Sequence, residues 1–182
     1  KFHESARSLG ADIVVDSLHK TLPSLTQTAL LCVCSDRVDI QSVDKNLAMF
    51  QTSSPSYVLM ASIDGCVRML KNSTNELLNE WSGNLDICKR SLNRLKRLSL
   101  FDAKKDGRVF AHDKSKLVIL CTGAAISGVE LKKVLRNVYD IELEMAGVNY
   151  AIAMSGAGDS RENFSALENA LFAIDDTLCE RN

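Results

Sequence analysis

The gap between two apolar runs constrains this chain most. Ala11-Asp12-Ile13-Val14-Val15 and Thr28-Ala29-Leu30-Leu31-Cys32-Val33-Cys34 are both of strand length and mostly apolar. Between Lys20 and the second run lie only the residues from Thr21 to Gln27. A parallel pair needs a crossover of roughly a dozen residues or more. The spacing therefore predicts antiparallel neighbours or strands linked by a tight loop. The first run reads as a buried strand, bounded upstream by Gly10 and downstream by polar residues.

That strand leads into Ser17-Leu18-His19-Lys20-Thr21-Leu22-Pro23, which gathers hydroxyls, an imidazole and an amine at its carboxyl end. In open α/β sheets ligands bind at the carboxyl ends of strands. A lysine at the edge of a buried strand is expected to be partly desolvated, which favours the neutral, nucleophilic amine. Lysine is the residue that forms Schiff bases with aldehyde cofactors. The bland reading is a solvated lysine just past a strand end, and the string Ser-x-His-Lys alone is weak.

Further along, Val38 to Phe50 is predicted helical, with Val43, Leu47 and Phe50 on one stripe. A helix is predicted from Pro55 to about Leu70, with Pro55 in its first turn and Ser54 as N-cap. Hydroxyls at such a helix start can also form an anion site. A second amphipathic helix is predicted from Asn75 to Arg97, interrupted at Ser82-Gly83-Asn84, with a basic end that suits the helix dipole. The charged stretch Asp102 to Arg108 reads as a boundary. Beyond it, Lys116–Cys121, Ile141–Met145 and Tyr150–Ser155 read as strands. Ser127 with Glu130 has capping-box spacing, and a last helix starts near Asp159. This is a small α+β unit, half or more of a ferredoxin-like layer.

The string from Ser17 to Thr28 resembles the cofactor-lysine motif of the ornithine/lysine/arginine decarboxylases, pyridoxal-phosphate enzymes of the aspartate-aminotransferase fold type. Their pattern is Ser-x-His-Lys, a short spacer of small residues, then Gln followed by small residues. Pro23 departs mildly from it. Gln51-Thr52-Ser53-Ser54-Pro55-Ser56-Tyr57 resembles the family's Ser/Thr-Ser-Pro-x-Tyr segment, at the expected distance after the lysine. Ser127–Glu130 and Tyr139–Met145 resemble its small-domain segments more softly.

The resemblance implies an α/β chain. Residues 1–103 would be the end of a fold type I large domain with its linking helix, and 104–182 part of a small α+β domain. It implies decarboxylation of arginine, lysine or ornithine, with Lys20 in Schiff-base linkage to pyridoxal phosphate. Ser17 and His19 match positions that hold the cofactor's phosphate. Thr52, Ser53 and Ser54 would complete the site of a neighbouring subunit, in a homodimer or larger homo-oligomer. The family's pyridine-nitrogen acid belongs to an Asp-x-Ala-His-Gly string expected just upstream of Lys1, so the chain is expected to be an internal or C-terminal fragment, inactive alone. The alternatives are another fold type I enzyme, such as an aminotransferase, or a non-enzymatic soluble α/β domain.

A net charge of −1 gives no electrostatic reason to expect nucleic acid or an anionic membrane. No apolar run approaches the roughly 20 residues of a membrane span. The six cysteines lack Cys-x-x-Cys spacing and the three histidines are scattered, so no metal is expected. Reduced thiols in a cytosolic protein are the expectation.

Overall fold

A computed structural model describes residues 5–103 and 106–179. The two apolar runs pair as the short spacer requires. Strand β1 (Ile13–Ser17) lies antiparallel to β2 (Ala29–Val33), with Ile13 opposite Val33 and Ser17 opposite Ala29. The expected burial of β1 is not found. Among the described residues the hairpin is a two-stranded sheet, and Ile13 and Val15 are exposed, Val15 at 67%. Apolar, β-branched content says that a strand suits a covered sheet; the cover must come from another element. A single turn, α1 (Leu18–Thr21), follows β1 directly and buries Leu18.

Helix α2 (Ile40–Phe50) is capped by Asp39, whose carboxylate accepts the Gln41 N–H at 3.1 Å. Its predicted stripe, Val43, Leu47 and Phe50, lines an open hollow of about 350 Å³ together with Leu31, Ser42 and Asn46.

Helix α3 (Tyr57–Leu92) differs from expectation at both ends. Pro55 stands outside the helix, and Ser56 rather than Ser54 caps it, its Oγ accepting the Leu59 N–H at 3.4 Å. The expected break between two helices is present: the backbone leaves helical geometry at Ser73 (φ −136°, ψ 15°), between the two predicted spans. Beside that residue the Thr74 hydroxyl bonds the Leu70 carbonyl, a back-bond that bends helices. Ser82-Gly83-Asn84 does not interrupt it. The helix stops at Leu92 rather than Arg97: Arg94 and Leu95 close tighter turns on Ser91 and Leu92, and the N–H groups of Lys96, Arg97 and Leu98 then donate to Asp175 on the last helix, at 2.7, 3.0 and 2.7 Å.

By packing, the chain divides after Glu76. The part from Leu77 onward is built on a four-stranded antiparallel sheet of β3 (Ser99–Leu100), β4 (Lys116–Leu120), β5 (Met145–Ala146) and β6 (Tyr150–Met154), in the order β3-β4-β6-β5. Strands β4 and β6 alternate in burial, so Leu117, Ile119, Ala151 and Ala153 point into the core. Helices α4 (Gly128–Tyr139) and α5 (Arg161–Thr177) contribute Leu131, Leu135, Phe164 and Leu171, and α3 contributes Leu85, Cys88 and Leu92. The capping box of Ser127 and Glu130 is present in full. The strand expected over Ile141–Met145 reduces to Met145–Ala146. Asp140 ends α4 in the left-handed conformation (φ 56°), and Glu142 then pairs with Lys132 and Arg136 of α4 at 3.1 and 2.9 Å. Of that stretch, the Glu144 N–H still donates to the Ile152 carbonyl of β6 at 3.0 Å. The Asp102–Arg108 stretch lies between β3 and β4; Lys104 and Lys105 fall outside the described residues.

Candidate cofactor site

Ser17, His19 and Lys20 share one turn. Ser17 ends β1 and occupies the N-cap position of α1 in an extended conformation (φ −75°, ψ 115°), yet its hydroxyl makes no capping bond and the residue is exposed. Lys20 is exposed too, so the partial burial expected of it is absent; the open hairpin beneath it is the reason.

His19 is half-buried and its Nδ1 lies 2.9 Å from the Thr28 carbonyl oxygen. A carbonyl can only accept, so Nδ1 carries a proton and Nε2 is the ring atom left for other partners. The same carbonyl accepts the Leu18 N–H at 3.0 Å. Thr28 is reached through Gln27, whose φ of +81° lies in the left-handed region. Such a conformation is costly for a side chain longer than glycine and persists only where the surroundings enforce it.

Thr52, Ser53 and Ser54 form a second exposed group, between α2 and α3. The Thr52 hydroxyl accepts the Ser54 N–H at 3.1 Å, a side-chain turn that fixes the loop locally. The hollow beside α2 is lined by none of the six residues singled out in the sequence. Reading the sequence missed Ser24, Thr28 and Ser62, which tie the loop after Lys20 to α3; no spacing rule links Ser62 to a loop so distant in the chain.

The largest shift in proton affinity lies elsewhere. Burial and the neighbouring charge of Glu168 push the Cys88 thiol up to about 12. Glu168 is buried and ionised: burial opposes its charge, but Arg161 at 2.6 Å overcomes that and holds its carboxyl below the ordinary range. This cluster joins α3 to α5 and is structural. Among the described residues no helix is long and apolar enough to cross a membrane.

The arrangement is that of the fold type I enzymes. The lysine decarboxylase LdcF of Francisella novicida superposes on 90% of this chain and 28% of its own, with a TM-score of 0.76 and 16% identity. An alanine–glyoxylate aminotransferase from Nostoc sp. superposes on 92% of this chain and 48% of its own, with a TM-score of 0.66 and 16% identity. Within that class, residues 1–136 match the Orn/Lys/Arg decarboxylase family, major domain, and the chain belongs to this family. An arginine decarboxylase from Halalkalibacterium halodurans is 29% identical over 191 residues, covering 100% of this chain. The chain spans 39% of the length of that curated relative.

Proposed function

We propose that the complete protein decarboxylates a basic amino acid, arginine, lysine or ornithine, to the corresponding amine, with pyridoxal phosphate held on Lys20. The observation that carries this reading is the turn itself: an amine, a hydroxyl and an imidazole within four residues at the end of β1, in a chain of this family. The donor set fits the cofactor. An exposed lysine suits an aldehyde, while the Ser17 hydroxyl, which makes no capping bond, and the Nε2 side of His19 suit phosphate oxygens.

When bound, pyridoxal phosphate supplies an aldehyde that captures amines and a ring that accepts the electron pair left by departing CO2. The chain's own residues do the rest. Lys20 would hold the cofactor's aldehyde through its amine. The Ser17 hydroxyl would donate to the cofactor's phosphate. His19, its Nδ1 proton engaged by Thr28, can donate from Nε2 as the imidazolium or accept there as the neutral ring. Thr52, Ser53 and Ser54 add hydroxyls to a neighbouring subunit's site in a cytoplasmic homodimer or larger assembly. In the complete protein, residues 1–103 belong to the large domain and 104–182 to the small one.

The test uses the full-length protein. Adding pyridoxal phosphate should produce a visible absorbance band, and borohydride reduction should fix the cofactor's mass on the peptide holding Lys20. Lys20→Ala should lose both, and CO2 release should fall by more than ~10,000-fold, beyond the usual cost of losing a single proton-transfer group. Cofactor mass on another lysine would sink the assignment. CO2 release without a keto acid present separates a decarboxylase from an aminotransferase.

A further inference from the structure

The turn bearing Lys20 is a single helical turn closed by the Leu22 N–H on the Leu18 carbonyl at 3.2 Å. Helix α1 has four residues, too few to be stable alone, and it lies in the connection between the two strands of a hairpin open to solvent. What fixes the turn is a ring of hydroxyls reaching to α3. The Leu25 N–H donates to Ser62 Oγ at 2.8 Å, and Ser62 Oγ lies 3.2 Å from Ser24 Oγ. The Thr28 hydroxyl is shared between Ser24 Oγ at 2.7 Å and the Leu25 carbonyl oxygen at 2.8 Å. Thr28 is only 2% exposed, so its polar groups depend on these partners. Its carbonyl in turn receives the Leu18 N–H and His19 Nδ1.

We infer that Ser62 is a positioning residue for His19 and Lys20, acting through Thr28. The inference rests on the reading of Lys20 as the cofactor lysine. Deleting the Ser62 hydroxyl removes the acceptor for the Leu25 N–H and a partner of Ser24, so the loop from Ser24 to Thr28 loses its anchor on α3. The Thr28 carbonyl then no longer sets the His19 ring or the first N–H of α1. A misplacement of about 1 Å at a reacting group can cost ~100-fold in rate. One hydroxyl acting through two links is expected to cost ~10-fold.

The experiment compares the full-length native protein, Ser62→Ala, Ser62→Thr, Thr28→Val and the double variant Ser62→Ala/Thr28→Val, with Lys20→Ala as reference. Each is stripped of cofactor, and growth of the Lys20-dependent absorbance band is followed after adding pyridoxal phosphate. Hydrogen exchange over residues 18–28 is measured on the cofactor-free proteins. Ser62→Ala and Thr28→Val should each slow the band ~10-fold and speed exchange, Ser62→Thr should restore both, and the double variant should be no slower than either single change because all act on one path. A native rate and native exchange in Ser62→Ala would overturn the inference while leaving the cofactor reading intact, as would additive losses in the double variant. Absence of any Lys20-dependent band in the native protein would overturn the cofactor reading, and this inference with it. Should Ser62→Ala fail to fold, Thr28→Val decides by the same two readouts.

Discussion

A methyl group added at Gly128 would lie 1.9 Å from the Tyr150 carbonyl oxygen and 2.6 Å from that of Gly147. Both obstacles are backbone, so neither can rotate away. Here glycine is required by proximity: the first residue of α4 touches the turn between β5 and β6, and the Gly128 N–H donates to Val148 at 3.0 Å. Gly128→Ala is expected to lower stability by about 3 kcal/mol through overpacking, read as a lower urea midpoint at unchanged slope. Gln27 poses the opposite case, a long side chain in a conformation that glycine would adopt more readily. Its neighbour Thr28 explains why the conformation persists, since the hydroxyl ring closes only if the chain reverses there.

At the scale of elements, what the sequence made legible was local. The antiparallel hairpin and the Ser127–Glu130 box both depend on residues close together in the chain, and both stand as read. The errors have a common cause. The burial of β1, the path of the chain after Leu92 and that over Ile141–Glu144 each involve a distant partner or the lack of one. Asp175 is the sharpest instance. It is 1% exposed, and burial alone would raise its proton affinity, but the N–H groups of Leu98, Lys96 and Arg97 outweigh burial and hold the carboxyl below its ordinary range. A depressed carboxyl contributes stability above its unfolded value and loses it as pH falls through the folded one. The stability difference between the native protein and Asp175→Asn should therefore be constant above about pH 5, on the order of 3 kcal/mol, and should shrink below about pH 4. Denaturation curves at a series of pH values check this; a difference independent of pH would refute it.

Across the whole molecule the core is distributed unevenly. From Leu77 onward there is a sheet covered by helices and a long roll of fully buried side chains, whereas the preceding part buries Leu18, Thr28 and Cys66 and leaves Leu30, Leu31, Leu47 and Phe50 exposed, Phe50 at 88%. Local stability follows burial. Hydrogen exchange on this chain should therefore be slowest in β4, β6 and α5 and fastest in β1, β2 and α2. Uniform protection across both parts would contradict that picture. The candidate site thus sits in the less stable part, where a few hydroxyls must hold what packing does not.

The sequence has one tryptophan. Trp81 is buried, and its indole N–H donates to Ser155 Oγ at 3.1 Å, inside the part that begins at Leu77. Its emission is therefore a private optical reporter of that part. An unfolding curve recorded by intrinsic fluorescence would register the loss of the covered sheet and pass silently over the melting of the turn that carries Lys20.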